Sequence, residues 1–335
     1  MNATPAQLDL SVVVPVYNEE ESVDTLCQSL HNALSGLGRT YEVVLVDDGS
    51  RDATWEKLKA MAAKLPGFHL IRFRRNFGQT AAMSAGFHAA QGDVIITLDA
   101  DLQNDPSDIP LLLAKMEEGY DVVSGWRKDR KDTFINRKLP SMIANGLISK
   151  ITGVDLHDYG CTLKAYRREV IKQVHLYGEM HRFIPALASW VGGSIAEVAV
   201  QHHPRRFGTS KYGISRTFRV ILDLLTVKFL LHYSTRPIHI FGKIGGLFAL
   251  PGLAMLAVMI LAHLSFLVFG TQLGADLIKR PFWIVSSFML VLFSLQFVSM
   301  GLLAEMQIRT YHESQNKPIY IVRETATSSS LTASA

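Results

Sequence analysis

Cysteine is scarce in this chain of 335 residues, which contains only Cys27 and Cys161. Two cysteines exclude the disulfide framework of a small secreted protein. The N-terminus also lacks a charged segment followed by an apolar one, so no secretory signal peptide is predicted. We therefore expect the folded part of the chain to lie in the cytosol.

Glycine-rich phosphate-binding motifs are also absent. Neither G-x-G-x-x-G nor G-x-x-x-x-G-K-[ST] occurs, so the sequence does not support a Rossmann dinucleotide site or a Walker-type site. No cluster of cysteine and histidine suggests zinc. A nucleotide diphosphate, if one binds, must be held in another way.

Charged residues are missing from two long stretches, 244–275 and 281–304. At ~1.5 Å per residue the second stretch gives about 36 Å of helix, enough to cross a hydrocarbon core of ~30 Å. Two buried core helices are the alternative, but globular helices rarely run this long without charge. The short link 271–280 favours a transmembrane hairpin with spans at about 244–269 and 281–304.

Lysine and arginine crowd both flanks of this predicted hairpin. They are Arg216, Arg219, Lys228, Arg236 and Lys243 before it, and Arg309, Lys317 and Arg323 after it. The positive-inside rule places both termini in the cytoplasm. Part of the net charge of +4 belongs to these flanks, so we expect no binding of nucleic acid.

Short β-branched runs alternate with longer amphipathic runs from residue 10 onward. Strands are predicted at 10–16, 41–46, 68–73, 94–98, 121–125 and 195–202, and helices at 19–35, 53–65, 80–90, 109–118, 135–151 and 167–175. The alternation predicts an α/β, Rossmann-like domain with a mainly parallel sheet. A ligand crevice is expected at the carboxyl ends of the strands.

The predicted domains follow from these patterns. They are an N-terminal extension 1–9, the α/β domain 10–212, a juxtamembrane amphipathic helix 213–236, the hairpin 237–310 and a cytoplasmic tail 311–335. The apolar residues of 214–233 recur at three and four, which indicates an interfacial helix or, alternatively, a soluble core helix. The low-complexity end, 325–335, is predicted to be disordered.

The stretch ITLDADLQNDP, residues 96–106, combines a strand end with acidic and amide side chains. Asp99 and Asp101 are two residues apart just past the strand, so their carboxylates project the same way and can share a divalent cation. Mg²⁺ or Mn²⁺ suits these oxygen ligands. A metal with few protein ligands keeps positions open for a diphosphate, whose leaving charge it would neutralise.

A second acidic pair, Asp47 and Asp48, follows the second predicted strand. A carboxylate here can accept hydrogen bonds from a base N–H or a ribose hydroxyl. Capping of the following helix is the alternative, although Ser50 and Asp52 can also serve as caps.

Three motifs follow strand ends in order: PVYNEE at 15–20, VDDGSRDAT at 46–54 and LDADLQNDP at 98–106. In this the chain resembles the family 2 glycosyltransferases of GT-A fold. RNFGQTAA at 75–82, SGWR at 124–127, NRKLPSMIAN at 136–145 and RRFGTSKY at 205–212 are similar to polyprenyl-phosphate glycosyltransferases, relatives of dolichol-phosphate mannose synthase. The two C-terminal spans make the chain resemble most the bacterial branch of undecaprenyl-phosphate glucosyltransferases (Gtr type) and aminoarabinose transferases, over about residues 10–310.

The resemblance implies the roles of the site residues. The nucleotide sugar would be bound by Pro15, Tyr17, Glu19, Asp47, Asp48, Asn76, Gly78, Asp99 and Gln103. The metal would be organised by Asp99, Asp101 and Gln103, and the acceptor phosphate by Arg127, Arg137, Ser141, Arg206 and Lys211. Arginine forks suit a phosphate monoester, which carries nearly two negative charges at neutral pH.

Asp101, Arg127 and Asp158 are the predicted catalytic residues. An acceptor phosphate is already ionised, so it can attack the anomeric carbon in a single, inverting displacement without a strong general base. Asp158 would orient or deprotonate the acceptor, or alternatively cap its own loop. Related mannose synthases have a Ser/Gly-containing sequence here, which weakens a mannose assignment.

The resemblance implies a multi-pass protein of the bacterial plasma membrane that transfers glucose from UDP-glucose to undecaprenyl phosphate at the cytoplasmic face. The product would supply later glycosylation of cell-envelope glycans. The alternatives are a GDP-mannose-dependent or UDP-aminoarabinose-type transferase and, in another class, a non-catalytic membrane scaffold. A processive polysaccharide synthase should carry Q-x-x-R-W, which is absent. Residues 311–322 could pack on a second copy in a homo-oligomer.

Overall fold

The computed structural model describes residues 8–128, 139–176, 180–204, 224, 238–270, 281–314 and 320–332. The chain divides into two compact units. The first comprises Met1–Val227 and Pro318–Ala335, and the second comprises Lys228–Lys317.

Within the described residues, the first unit is built on one eight-stranded sheet with the order β7-β5-β6-β4-β1-β2-β3-β8. The strands are β1 (Leu10–Val16), β2 (Tyr41–Asp47), β3 (Phe68–Phe73), β4 (Val94–Thr97), β5 (Val122–Trp126), β6 (Lys164–Arg167), β7 (Ile195–Ala199) and β8 (Val322–Thr327). Strand β1 pairs in parallel with β2 and β4, β2 with β3, and β5 with β7. The predicted α/β fold is confirmed.

Helices cover the two faces of this sheet. They are α1 (Val23–Ser35), α2 (Thr54–Ala62), α3 (Gln79–Ala89), α4 (Ile109–Glu117), α5 (Leu139–Thr152), α6 (Arg168–Ile171) and α7 (Ile184–Trp190). Helix α1 buries the apolar stripe that its spacing predicts, from Val23 to Leu34. Helix α3 is buried on nearly all sides, and a Cβ on its Gly86 would lie 2.1 Å from Val13 Cγ1 of β1. Small residues thus let α3 lie against the sheet, with its N-terminus at the edge where β1 ends.

Within residues 8–204, one strand and one α-helix were not predicted. Strand β6 is antiparallel to both β4 and β5, and its sequence KAYR carries charge at both ends. Helix α7 has only seven residues and follows a 3₁₀ turn at Met180–Phe183. The helix predicted at 167–175 is shorter than expected, because α6 ends at Ile171.

The predicted disorder of the chain end is wrong for most of that segment. Strand β8 pairs antiparallel with β3, and α10 (Ser328–Thr332) follows it. The Tyr320 ring stacks on Phe73 with centroids 5.1 Å apart, and Ala326 is buried. A low-complexity composition does not prevent ordering when a neighbouring strand offers free backbone groups.

The second unit contains two long helices, α8 (Ile238–Phe269) and α9 (Pro281–Ser314). Gly245 faces Ser294 and Val298, whereas Gly252 faces Ser287 and Leu290, so the two helices pack antiparallel. Each helix contains a stretch long and apolar enough to cross a membrane, His239–Phe269 and Pro281–Ala304. Most apolar side chains of these stretches are exposed, as in helices that associate with a membrane.

Several predicted segments lie outside the described residues. They are the N-terminal residues 1–7, the link 271–280 and, apart from Leu224, the amphipathic helix at 214–233.

Candidate active site

The acidic pair after β4 lies at the edge where the parallel strands end. Asp99 Oδ1 accepts a hydrogen bond from Gln79 Nε2 at 2.6 Å, and Asp101 Oδ1 accepts one from the Gln103 backbone N–H at 3.2 Å. Leu102, between Asp101 and Gln103, has φ 58°, in the left-handed region that few non-glycine residues adopt. Burial, together with the negative charge of Asp101, raises the pKa of Asp99 to about 7. Asp99 and Asp101 are therefore close enough to repel each other.

A divalent cation fits this pair of carboxylates. Two adjacent carboxylates whose charges repel are an oxygen-rich donor set of the kind that Mg²⁺ and Mn²⁺ prefer. Among the described residues no group of three or more histidine, cysteine or acidic side chains is arranged to hold a metal. The donor set thus fits a cation that completes its shell with a bound diphosphate and water.

Asp48 holds a neighbouring loop in place. Its Oδ1 accepts from the Phe77 N–H at 2.6 Å and its Oδ2 from the Gly78 N–H at 2.9 Å. A Cβ on Gly49 would lie 2.5 Å from the carbonyl carbon of Arg75, so the loop passes directly over the turn after β2. Burial raises the pKa of Asp48 to about 6. Of the predicted nucleotide-sugar residues, Asp48, Asn76 and Gly78 are thus brought together.

Asp47 is buried against the opposite side of the same turn. Its Oδ1 accepts from the Ser50 N–H at 2.9 Å, and its Oδ2 lies 3.3 Å from Arg72 Nε. Helix α2 begins after Ala53, whose side chain makes no cap, and the Thr54 N–H donates to Asp52 Oδ1 at 3.1 Å. The alternative in which Asp47 or Asp48 caps this helix is therefore wrong.

The residues that follow β1 lie against the turn after β2 and also border the site. The Asn18 N–H donates to Ser50 Oγ at 2.9 Å, and the Glu19 N–H donates to Thr54 Oγ1 at 2.8 Å. Pro15, Tyr17 and Glu19 are all partly exposed beside this contact. The structure thus brings the ends of β1 and β2 together, as the motifs predict.

Arg127 and Asp158 form a buried, two-pronged ion pair. Arg127 Nε donates to Asp158 Oδ2 at 2.7 Å, and Nη2 donates to Oδ1 at 3.0 Å. Burial alone would lower the pKa of Arg127, but the hydrogen bonds and charge of Asp158 raise it. The Asp158 N–H donates to Glu197 Oε1 at 3.1 Å, which anchors the acidic partner. This geometry is typical of a carboxylate that orients an arginine.

Two further side chains of this cluster were not predicted from the sequence. Lys164 of β6 is 3% exposed and donates to the backbone carbonyl groups of Tyr159 and Cys161. Burial lowers the pKa of Lys164, and the positive charge of Lys164 lowers the pKa of Asp99. Gln79 lay within the RNFGQTAA motif, but only the fold shows that it reaches Asp99. Lys164 could not be found in the same way, because it lies in no motif and the sequence pattern did not predict β6.

The structure describes only part of the predicted acceptor-phosphate group. Arg137, Arg206 and Lys211 lie outside the described residues, and Ser141 is located only as a backbone position of α5. Arg127 is the described member of that group.

Comparison with known proteins identifies the family. The family model "Glycosyl transferase family 2" matches residues 11–174. The chain is 50% identical over 324 residues to dodecaprenyl-phosphate galacturonate synthase of Rhizobium johnstonii, covering 95% of this chain and 93% of that protein. It is 40% identical over 317 residues to undecaprenyl-phosphate 4-deoxy-4-formamido-L-arabinose transferase of Shewanella sediminis, covering 94% and 92%. The expected aminoarabinose-transferase branch is thus among the relatives, whereas the Gtr-type glucosyltransferases are not specifically supported.

Solved structures share the fold at low identity. Glucosyl-3-phosphoglycerate synthase from Mycobacterium tuberculosis, in complex with Mn²⁺, UDP and phosphoglyceric acid, matches with a TM-score of 0.53 and 20% identity over 67% of this chain and 79% of that one. Mannosyl-3-phosphoglycerate synthase from Rubrobacter xylanophilus matches with a TM-score of 0.53 and 17% identity, over 66% and 74%. Because the family motifs lie at the strand ends and the identity to curated relatives extends over nearly the whole chain, this protein belongs to glycosyltransferase family 2 and has the GT-A fold.

Proposed function

We propose that this glycosyltransferase moves one sugar from a nucleotide sugar to the phosphate of a polyprenyl lipid. The observation that carries the proposal is the identity of 50%, over 95% of the chain, to an enzyme named for a dodecaprenyl-phosphate product. That alignment is too long to leave out the two apolar helices, which would keep the enzyme in the plane of its lipid acceptor. The buried Arg127, beside the acidic pair, supplies the positive charge that a phosphate acceptor needs.

The donor sugar is proposed to be a galacturonate or an arabinose derivative rather than glucose. The relatives at 50% and 40% identity are named for galacturonate and 4-deoxy-4-formamido-L-arabinose, respectively. The expectation of UDP-glucose rested on the resemblance to Gtr-type enzymes, and neither of these relatives is named for glucose. A UDP-linked galacturonic acid is the first donor to test, because the relative named for galacturonate is the more similar of the two.

Charge stabilisation and positioning carry the proposed mechanism. Asp99 and Asp101 would hold Mg²⁺ or Mn²⁺, which supplies charge neutralisation for the leaving diphosphate. Arg127 uses Nε and one Nη for Asp158 and retains other N–H groups with which to bind the acceptor phosphate. A phosphate oxygen attacks the anomeric carbon as the bond from that carbon to the diphosphate oxygen breaks, which inverts the configuration. Asp158 positions Arg127 and takes no proton.

The membrane arrangement is part of the same proposal. Helices α8 and α9 would form a transmembrane hairpin in the bacterial plasma membrane, with the catalytic domain and both termini in the cytoplasm. The domain boundaries predicted from the sequence belong to the same proposal, except at the chain end, where β8 and α10 are ordered. Homo-oligomer formation stays a prediction.

Transfer by purified protein tests the proposed function directly. The assay combines undecaprenyl phosphate, Mn²⁺ and, in separate reactions, UDP-galacturonic acid, UDP-4-deoxy-4-formamido-L-arabinose, UDP-glucose and GDP-mannose. A lipid-linked product is expected with one of the first two, and Asp99→Asn should lower its rate by a factor on the order of 10². Asp93→Asn, at a surface ion pair with Arg168, is the matched control and should leave the rate unchanged. The absence of product with every donor would contradict the proposal and favour a non-catalytic scaffold.

A further inference from the structure

The carboxylate of Asp99 interacts with neutral side chains from two separate segments. Gln79 Nε2 donates to its Oδ1 at 2.6 Å from the first turn of α3. The Thr162 side chain, just before β6, also lowers the pKa of Asp99, and Thr162 Oγ1 accepts a hydrogen bond from Asn104 Nδ2 at 2.8 Å. The orientation of Asp99 is therefore set by its neighbours before any cation binds.

The position of Gln79 is itself fixed by Asp48, in the turn that follows β2. Residue Gly78, directly before it, has φ 96° and gives its backbone N–H to Asp48. Phe77 gives its N–H to the other oxygen of the same carboxylate. On the far side of Gln79, Thr80 Oγ1 lies 2.9 Å from the ring Nδ1 of the buried His181. The backbone on both sides of Gln79 is thus tied down.

We infer that Gln79 is a positioning residue for the cation-binding carboxylate Asp99, and that Asp48 acts through the loop 75–78 to place Gln79. The two acidic motifs of the chain are joined by this path: Asp48 binds the loop, the loop places the amide, and the amide orients Asp99. With Oδ1 engaged by Gln79, the other oxygen is directed to the cation. The inference rests on the proposed function for its metal, and it assigns Asp48 a role other than contact with the nucleoside.

Loss of such an outer partner lowers metal affinity by about 10–100-fold in known sites. Gln79→Met keeps the length and volume of the side chain but cannot donate a hydrogen bond. We expect this variant to bind Mn²⁺ at least about 10-fold more weakly in the presence of UDP. At saturating Mn²⁺ its kcat should stay within about 3-fold of the wild type, because the residue contacts no reacting atom.

The experiment measures free Mn²⁺ by electron paramagnetic resonance as the full-length protein in detergent is titrated with Mn²⁺ and UDP. This readout needs no donor sugar, so it remains valid even if the transfer assay shows no product. Gln28→Ala is the matched control, because the side chain of Gln28 donates a hydrogen bond to Asn32 Oδ1 on the exposed surface of α1. Melting temperatures verify that each variant is folded, and Gln79→Ala serves as a second variant if Gln79→Met is unstable.

A second variant tests the path from Asp48. In Asp48→Asn, an NH₂ group replaces one of the two oxygens that accept hydrogen bonds from the Phe77 and Gly78 backbone N–H groups. Two donors then face each other, so the loop must shift. We expect weaker Mn²⁺ binding in this variant too, and a double variant with Gln79→Met that is no weaker than the worse single one. Wild-type Mn²⁺ affinity in Gln79→Met, additive losses in the double variant, or no Mn²⁺ binding by the wild type would each overturn the inference. Failure of transfer with intact Mn²⁺ binding would instead contradict the proposed function alone.

Discussion

The side chains of the candidate site are paired before substrate arrives. Asp158 bonds Arg127 through both oxygens, Asp48 bonds two backbone N–H groups, and Thr80 bonds His181. A buried carboxylate or imidazole that is satisfied in this way keeps one rotamer, which lowers the entropy lost when ligand binds. In each pair, one residue can position the other without taking part in the reaction itself. Substitution of the positioning residue can test this division of roles.

Asp158→Asn distinguishes orientation of Arg127 from proton transfer. The amide keeps the shape of the side chain but can accept only one of the two guanidinium hydrogen bonds, so transfer should fall by roughly 10-fold to 100-fold. If Asp158 only orients Arg127, the pH dependence of kcat in the variant should have the wild-type shape. Loss of the acidic limb of that profile in Asp158→Asn would instead indicate a general base.

His181 should make the protein less stable in acid. Burial lowers its pKa from 6.5 to about 3, so the unfolded chain takes up a proton below pH 6.5 while the folded chain does not. The free energy of unfolding then falls by about 1.4 kcal/mol per pH unit below pH 6.5. His181→Gln can still bond Thr80 but has no such proton uptake. The measurement is Tm in detergent at pH 7.5 and 5.5, and the wild type should lose several degrees more than the variant. Equal losses would show that His181 is not the source.

Among the elements, the two long helices illustrate how small residues set a distance between helices. Gly245 and Gly252 are seven positions apart, so both lie on one face of α8. Both are in contact with α9, whereas a Cβ on Gly246 would meet nothing within 4 Å. Without a hydrophobic drive between helices in lipid, such close packing is what holds a hairpin together.

Gly252→Leu should separate the helices, because even a Cβ at this position lies 3.0 Å from Leu290 Cβ. We expect a lower melting temperature in detergent, equivalent to about 1–3 kcal/mol for an overpacked contact. Gly246→Leu adds the same side chain on an open face and should leave the melting temperature unchanged or raise it. Equal effects of the two substitutions would argue against the packing described for α8 and α9.

The elements also show what periodicity can and cannot predict. Strands β1 and β3 have the predicted bounds, because β1 is rich in valine and the apolar residues of β3 are bounded by turn-forming sequence on both sides. Strand β6 was missed, since its charged ends conceal its strand character and its pairing partners are far away in sequence. The same limit applied to the site: Asp99 and Asp101 stood out locally, but their partners Gln79 and Thr162 come from other parts of the chain.

In the whole molecule, the first unit contains chain from both sides of the apolar helices. Strand β8 follows α9 in sequence, yet it completes the sheet beside β3. Composition alone predicted disorder there, because six residues of mixed polarity become a strand only when a partner edge is present.

Removal of residues 321–335 should therefore destabilise the catalytic domain. Each lost ladder hydrogen bond contributes about 1 kcal/mol, so we expect a Tm lower by roughly 5–10 °C. The exposed edge of β3 should also promote aggregation, measurable by light scattering. A chain that ends at residue 332 keeps β8 and α10 and should behave like the wild type. An unchanged Tm in the longer truncation would mean that β8 contributes nothing to stability.

The place of β8 in the chain also sets an order of events during synthesis. A ribosome delivers residues from the N-terminus onward, so both apolar helices have left it before the eighth strand appears. Until then the edge of β3 is unpaired, and the sheet lacks its last strand although α8 and α9 have already been synthesised. The eight-stranded sheet is therefore complete only after both apolar helices have been synthesised.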